Sequence, residues 1–430
     1  MEKAVAEGDT IFALSTAGLP SAIAIIRTSG PASEKAVLAL AGTVPEPRRA
    51  VLSLLKDSDG DPIDRAIIFW LPGPGTVTGE DMAEFHIHGS RAVAARMLEV
   101  LGQLPGLRAA EAGEFTRRAF FNGRMDLSEA EGLGDLLAAE SEAQRRHALA
   151  MAEGGLAGEI ARWREKLLAA EARLEAVLNF SDEGDVDEGD EAFALDVARD
   201  VHNEIESALA APPAERLRDG IRVALAGPPN AGKSTLFNAL IAREAAIVSP
   251  IAGTTRDIIE APVEIDGLPF VFSDTAGLRD SVDAIEDEGV RRARSVSENA
   301  DIVLWLGEAG DAPAGDKVLR LAAKCDLLED AGVGRLAVSA VSGDGMASLR
   351  SEILAMARKL VPRDDQLALN ARQRTALQTA AGRLSAAECG DWVLLSETLR
   401  ASRAELDRLS GRGGVEDMLD ALFGKFCIGK

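Results

Sequence analysis

Gly227-Pro-Pro-Asn-Ala-Gly-Lys-Ser234 has the spacing GxxxxGKS/T, whose chemistry is the holding of phosphate. Its glycines let backbone N–H groups turn inward around phosphate oxygens, Lys233 reaches the β- and γ-phosphates, and the Ser234 hydroxyl is a hard ligand for Mg²⁺. Asn230, Ala231, Gly232 and Thr235 complete the lining of such a loop. Three further pieces follow in chain order. Gly253-Thr-Thr-Arg-Asp257 offers Thr255 as a second Mg²⁺ ligand, and Asp274, Thr275, Ala276 and Gly277 form the Asp-x-x-Gly that senses a γ-phosphate. Ala323-Lys-Cys-Asp326 is similar to the Asn-Lys-x-Asp base-reading motif, with Lys324 beside a carboxylate at Asp326. That carboxylate can accept from guanine N1–H and the exocyclic amine, a donor pair that adenine lacks. Ser339-Ala340 is similar to the last guanine-side loop. Singly, each short piece reads as an ordinary turn; in this order they predict an α/β domain that binds GTP and GDP.

Two positions break the pattern. Ala323 stands where the base-reading motif usually carries Asn. Without that amide, guanine affinity is expected to weaken, or its coupling to the phosphate loop to loosen, with Asp326 as the main discriminator. Leu278 follows Gly277 where many such proteins have Gln, and Leu cannot orient an attacking water. Either the chain does not hydrolyse nucleotide, or other groups supply both the water and the charge of an arginine finger.

Several elements must position these residues. The apolar run Ile221–Ala226 predicts the strand before the loop, Thr235–Ile241 the helix after it, and Pro269–Phe272 the strand before Asp274. Ahead of this segment, residues 1 to about 120 alternate short apolar runs with turn clusters such as Pro72-Gly-Pro-Gly75, which predicts an α+β domain. From Asp126 the spacing turns helical, and Ser128-Glu-Ala-Glu131 reads as a capping-box start. An acidic run at 181–191 reads as a solvated linker or a metal-binding loop, although it does not fit the calcium-loop template. Helical spacing returns over 366–425, so the helical part is expected to be discontinuous and to carry the α/β segment as an insert. The expected division is residues 1–123, then 124–218 with 366–430, with 219–365 inserted.

The chain has 430 residues, 47% of them hydrophobic, enough for about three cores. Its net charge of −23 repels phosphate backbones at long range. Nucleic acid must therefore meet a local patch, for which Arg117, Arg118, Arg145 and Arg146 are candidates, or a basic partner. The first residues show no secretory pattern and no run is long enough for a membrane span, so a cytoplasmic location is expected. Cys325, Cys389 and Cys427 form no CxxC pair, which fits free thiols, and the Cys-Ile-Gly-Lys end is a poor prenylation box.

Read from end to end, the chain resembles the tRNA-modification GTPases of the MnmE (TrmE) family, among the TrmE-Era-EngA-like GTPases. The resemblance is carried by Asp9-Thr-Ile11, Thr78-Gly-Glu-Asp81 with Glu84 and His88-Gly89, Gly113-Glu-Phe-Thr-Arg-Arg-Ala-Phe120 and Asn122-Gly-Arg-Met-Asp-Leu127. It continues in Asn179-Phe-Ser-Asp-Glu183, the phosphate loop with Asn230, Ile251-Ala-Gly-Thr-Thr-Arg-Asp257 and Phe426-Cys-Ile-Gly-Lys430. The resemblance implies a K⁺ ion held by positions matching Asn230, Ser249, Ile251 and Thr254, which binds when two copies pair their nucleotide faces. It also implies that Glu286 helps order the water in place of Leu278, whereas by itself Glu286 reads as a solvated acid. It further implies an N-terminal domain that dimerises and binds a one-carbon donor, 5,10-methylenetetrahydrofolate or 5-formyltetrahydrofolate, through Arg27, Glu84 and Arg124, with Lys430 nearby. The implied partners are the MnmG subunit, with its FAD and NADH, and tRNA, whose wobble uridine is modified at C5.

Arg124 is commonly Lys in that family, and Ser15-Thr-Ala-Gly-Leu-Pro20 replaces a glycine-rich turn. Glu84, His86 and His88 alternate along an expected strand, as a metal site or a hydrogen-bonded pocket. Cys427 reads as a nucleophile or as a small structural residue. Two other classes compete: an RNA-binding ribosome-assembly switch, which needs a basic module that the sequence lacks, and a membrane-remodelling GTPase, which needs a membrane-facing patch.

Overall fold

The computed structural model describes residues 8–180, 188–244, 260–274, 299–327, 332–387, 391–412, 422–424, 426 and 429. The chain divides into two compact units, residues 1–134 with 410–430 and residues 135–409.

The first unit is built on strands β1 (Thr10–Leu14) and β2 (Ser21–Ser29), helix α1 (Ser33–Ala41), β3 (Val51–Lys56), β4 (Pro62–Leu71), β5 (Met82–Gly89), α2 (Arg91–Gln103) and β6 (Leu107–Ala109). Their sheet runs β3-β4-β5-β2-β1-β6, antiparallel except for the parallel pair β1/β6. Period-two alternation makes these segments strands: along β4, Ala66, Ile68 and Trp70 are buried, while Ile67 and Phe69 between them are exposed and half-buried. The buried face packs with Val37 and Leu40 of α1 and Met97 and Leu101 of α2. Helices α3 (Glu114–Phe121) and α4 (Leu127–Ala138) follow.

The cap of α4 lies two residues before the expected one. Asp126 Oδ1 accepts the Glu129 N–H at 2.9 Å, and the Glu129 carboxylate accepts the Asp126 N–H at 2.6 Å, a reciprocal box, while Ser128 merely donates its hydroxyl to Asp126. Burial decides the register, because starting at Leu127 lets Leu127 and Ala130 pack with Phe423 and Phe426 of the C-terminal segment. Near the end of that segment, Gly429 accepts from Ser15 Oγ at 3.0 Å. A Cβ on Gly429 would stand 2.6 Å from the Leu14 carbonyl, and φ is +96°, so the position needs glycine on two counts.

In the second unit, α5 (Glu142–Ala152), α6 (Gly155–Phe180), α7 (Glu188–Leu209) and the short α8 (Glu215–Arg218) precede an α/β segment. That segment contains β7 (Ile221–Ala226), α9 (Lys233–Glu244), β8 (Glu260–Ile265), β9 (Leu268–Asp274), β10 (Ile302–Trp305), β11 (Val318–Ala323), β12 (Leu336–Val338) and α10 (Met346–Ala357). Helices α11 (Ala371–Ser385) and α12 (Trp392–Leu409) come after it. Leu156, Ile160, Trp163, Leu167 and Leu174 recur on one stripe of α6 and share a core with Val201 and Ile205 of α7, Leu377 of α11 and Leu399 and Leu406 of α12. One helical core is thus assembled from both sides of the α/β segment. The entry and exit chains are tied together: Ala214 N–H donates to Leu369 O at 3.0 Å, and Arg374 donates to the Ala211 and Leu209 carbonyls.

The inserted sheet runs β12-β11-β10-β7-β9-β8, all parallel except the hairpin β8/β9. The protein is therefore a multidomain α/β chain: an α+β unit, a discontinuous helical domain and an inserted P-loop domain. β7 is followed in the chain by β8 and β9 on one side of it and then by β10, β11 and β12 on the other, so the crevice at its carboxyl end is where such a sheet takes ligands.

Candidate functional site

The phosphate loop occupies that crevice. β7 delivers Gly227, whose φ is +143° and whose missing Cβ would lie 3.1–3.3 Å from backbone atoms of Leu306 and Gly307. Glycine therefore lets the loop start flush against the end of β10. Asn230 (φ 60°) and Gly232 (φ 101°) turn the chain into α9. Lys233 is 7% exposed and donates from Nζ to Gly227 O at 2.9 Å and Pro228 O at 2.8 Å. Ser234 and Thr235 are exposed on the first turn of α9, a helix N-terminus suited to anions.

The base-reading segment is laid directly on this loop. Lys324, left-handed at φ 57° just after β11, donates from Nζ to Asn230 O at 2.8 Å. Its stem passes 3.5 Å from where a Cβ on Gly232 would be, an ordinary contact distance, so it is the turn, with φ at +101°, that calls for glycine at 232. Ala323 has no amide to offer and instead packs half-buried on the core of the sheet, and Asp326 is exposed. Ser339 is buried, with its N–H on Asp344 O at 2.9 Å and its hydroxyl accepting the Ser342 N–H, and Ala340 packs beside it. Asp274 ends β9 in register with Leu225 of β7. Ser249, Ile251, Thr254, Thr255, Thr275, Ala276, Gly277, Leu278, Glu286, Cys427 and Lys430 lie outside the described residues.

In the first unit, Arg27 of β2 and Glu84 of β5 are cross-strand partners. Arg27 Nε donates to Glu84 Oε1 at 2.9 Å, and Glu84 Oε2 meets His86 Nε2 at 3.0 Å. His88 turns instead to Asp64, with Nδ1 at 2.7 Å. The alternating trio is thus divided between two hydrogen-bonded groups, Arg27–Glu84–His86 and His88–Asp64, and among the described residues no cluster of His, Cys, Asp or Glu has the arrangement of a metal site. Arg124 is not joined to Arg27 and Glu84 by any hydrogen bond among the described residues; its Nε donates to Thr76 O at 3.1 Å.

The arginines expected to meet phosphate are engaged otherwise. Arg118 is 2% exposed, with Nη2 at 2.7 Å from Asp9 and 3.1 Å from Glu114 and Nη1 at 3.1 Å from Glu80. It is a structural charge sealed from any backbone phosphate, which corrects its expected role. Arg117 pairs with Glu111, Arg145 with Glu142 and Arg146 with Asp364. Arg108 completes the buried network through Asp9 and Glu114. Burial alone raises the Glu114 carboxyl, but the Arg108 hydrogen bond, the Glu111 N–H, the Arg108 charge and the Arg118 hydrogen bond together hold it down at about 2. The sequence reading missed this network. The one local signal was Glu114 and Arg118 four apart beside Phe115 and Ala119, a helical pair on an apolar stretch.

Comparison with known proteins agrees with the geometry. A family model described as the MnmE helical domain matches residues 127–427, and one described as the GTP-binding protein TrmE N-terminus matches residues 10–124. A protein of Rhizorhabdus wittichii named tRNA modification GTPase MnmE is 54% identical over 428 residues, covering 98% of this chain and 97% of its own length. The chain belongs to the tRNA modification GTPase MnmE family. Further MnmE relatives are those of Novosphingobium aromaticivorans, 53% identical over 439 residues with 98% and 100% covered, and Erythrobacter litoralis, 52% over 426 residues with 98% and 100% covered. Among the described residues, no helix of this MnmE family member is long and apolar enough to cross a membrane.

Proposed function

We propose that this chain is a K⁺-stimulated GTP hydrolase that acts in the cytoplasm as a homodimer. With an FAD- and NADH-dependent MnmG subunit, it adds an aminomethyl or carboxymethylaminomethyl group to C5 of the wobble uridine of tRNA, taking the carbon from a tetrahydrofolate. The observation that carries the GTPase part is the joined phosphate and base-reading loops, with Lys324 on the Asn230 carbonyl and Lys233 buried beneath. The family membership supports the rest. The division at residues 123, 218 and 365 belongs to the same proposal; the shared helical core supports it, although residues 410–430 group with the first 134.

The chain's own groups suit this work. Backbone N–H groups at the start of α9 and the Lys233 ammonium hold the β- and γ-phosphates, and Asp326 with Lys324 holds the guanine. The exposed Ser234 hydroxyl is a donor of the hardness Mg²⁺ takes, and the Asn230 amide oxygen one that K⁺ takes. Thr255 on the first ion, and Ser249, Ile251 and Thr254 on the second, come from the family resemblance, as does Glu286 as the residue that orders water. Bound there, the cations supply positive charge against the charge that builds on the phosphate oxygens. Arg27, Glu84, Arg124 and Lys430 are proposed to hold the folate, with Cys427 nearby, and the Glu84 carboxylate suits the adjacent N–H donors of a pterin.

GTP turnover measured in KCl and in NaCl tests the ion: at least a tenfold preference for KCl is expected, and equal slow rates would remove it. Mass spectrometry of tRNA nucleosides from cells lacking the gene tests the modification: an unchanged set of wobble uridines would defeat that role.

A further inference from the structure

Two arginines were assigned to the folate, and the structure spends them differently. Arg27 commits its Nε to Glu84, whose two oxygens are shared between Arg27 and His86. Arg124 is exposed, and its Nε is held by the Thr76 carbonyl. Among the described residues its terminal nitrogens have no hydrogen-bond partner, so four N–H donors point outward on a guanidinium already anchored at its third nitrogen. A carboxylate matches such a fork with two parallel hydrogen bonds.

The anchor is itself fixed. The Arg124 stem lies on the bare backbone of Gly79: a Cβ there would come 3.3 Å from Arg124 Cγ, 3.4 Å from its Cδ and 3.2 Å from Asn122 Cβ, and φ is +79°. Asn122 Nδ2 donates to Thr78 O at 2.7 Å, and Thr76 Oγ1 donates to Glu80 O at 2.6 Å. The Glu80 carboxylate accepts from Ser29 Oγ at 2.6 Å and from the buried Arg118 at 3.1 Å, and Ser29 Oγ also meets Thr78 Oγ1 at 2.7 Å. The loop 76–80 is thus nailed to β2 and α3, and it presents both the carbonyl and the groove that orient Arg124.

We propose that Gly79 and Glu80 are positioning residues that set the Arg124 guanidinium to receive a carboxylate, the glutamyl tail of the folate. The ligand in this statement rests on the folate reading above. The positioning does not.

The test is equilibrium binding of 5-formyltetrahydrofolate, and of 5-formyltetrahydropteroate, which lacks the glutamyl carboxylates, to the full-length chain. Arg124→Ala is expected to weaken folate binding about tenfold or more and pteroate binding less than twofold. Gly79→Ala is expected to show the same ligand-selective loss, and the double variant no further loss, because both act through one guanidinium. Glu80→Gln, which keeps the side chain's shape, is expected to give a smaller loss in the same sense. Additive losses, or equal losses for both ligands, would overturn the proposal. If the wild-type chain binds neither compound, the folate reading fails, and the crystal structure of Gly79→Ala decides the positioning: Arg124 displaced from the Thr76 carbonyl upholds it, and Arg124 still seated there sinks it.

Discussion

Lys233 and Arg118 are both nearly sealed from water, at 7% and 2% exposure, and among the described residues the hydrogen bonds that hold them differ in kind. Lys233 donates to the carbonyls of Gly227 and Pro228, so these partners are dipoles of the loop itself. Arg118 reaches three carboxylates, those of Asp9, Glu80 and Glu114. Carbonyl dipoles orient a cation without cancelling its charge, whereas carboxylates cancel it. A buried cation therefore declares its task through its partners more than through its burial. The same test sorts Arg124, held by one carbonyl, from Arg108, held by Asp9 and Glu114.

The largest effect expected from this contrast is on stability. Arg118→Met leaves carboxylates in the interior without their central cation, and breaking a buried charge network in this way costs about 3–5 kcal/mol. Lys233→Met replaces the ammonium with an apolar chain of similar length, and the loop carbonyls it leaves can turn to water, so a smaller loss than in Arg118→Met is expected. GTP hydrolysis should respond the other way, falling roughly a hundredfold or more in Lys233→Met for want of charge at the phosphates. Urea denaturation beside turnover measures both. If Lys233→Met proved as unstable as Arg118→Met, the two cations would not differ in kind.

Acid sharpens the comparison at a somewhat smaller scale. The Glu114 carboxyl is held at about 2 in the folded chain against an ordinary 4.5, a depressed value. Its stabilising contribution is complete above pH 4.5 and drains away as pH falls from 4.5 toward 2. Between pH 5 and pH 3 the loss from this one group is about 2 kcal/mol by proton linkage. Glu114→Gln removes the titration, so its stability should decline less over that interval by about that amount. Lys233→Met, lying outside the network, should follow the wild-type slope. Denaturant midpoints at pH 5, 4 and 3 test this, and parallel declines in all three proteins would contradict it.

The phosphate-binding half of this contrast was legible in the sequence and the charge network was not, for a physical reason. The loop, its strand Ile221–Ala226 and the opening of α9 are contiguous, so one motif specifies the geometry, and the expected strand has the bounds that the structure gives β7. The network gathers residues 9, 80, 108, 114 and 118, brought together by strand pairing and helix docking that no local pattern encodes. Arg117 and Arg118 look alike in sequence. On α3 they are about 100° apart, and that rotation puts one against Glu111 at the surface and the other in the interior. The cap of α4 was misplaced by two residues because Asp126 and Ser128 both make good caps, and only the packing of Leu127 with Phe423 chooses between them. Glu84, His86 and His88 were correctly placed on alternate positions of one strand, yet the sequence could not show that Asp64 takes His88 away from the other two.

Arg146 marks the weak end of the scale. Its Nη1 lies 2.8 Å from Asp364, closer than Arg118 comes to Glu80, so distance alone would rank this the stronger pair. Both partners are open to water, Arg146 at 48% and Asp364 at 65% of the side chain, and water already solvates each charge as well as the other residue does. Arg146→Ala is therefore expected to change unfolding free energy by less than about 0.5 kcal/mol, and less still in high salt, where the Debye length shrinks below the separation of neighbouring surface charges. Denaturation at low and at high ionic strength measures it. A loss of several kcal/mol that survives salt would show that the pair is shielded from solvent after all, and surroundings would then no longer rank these cations.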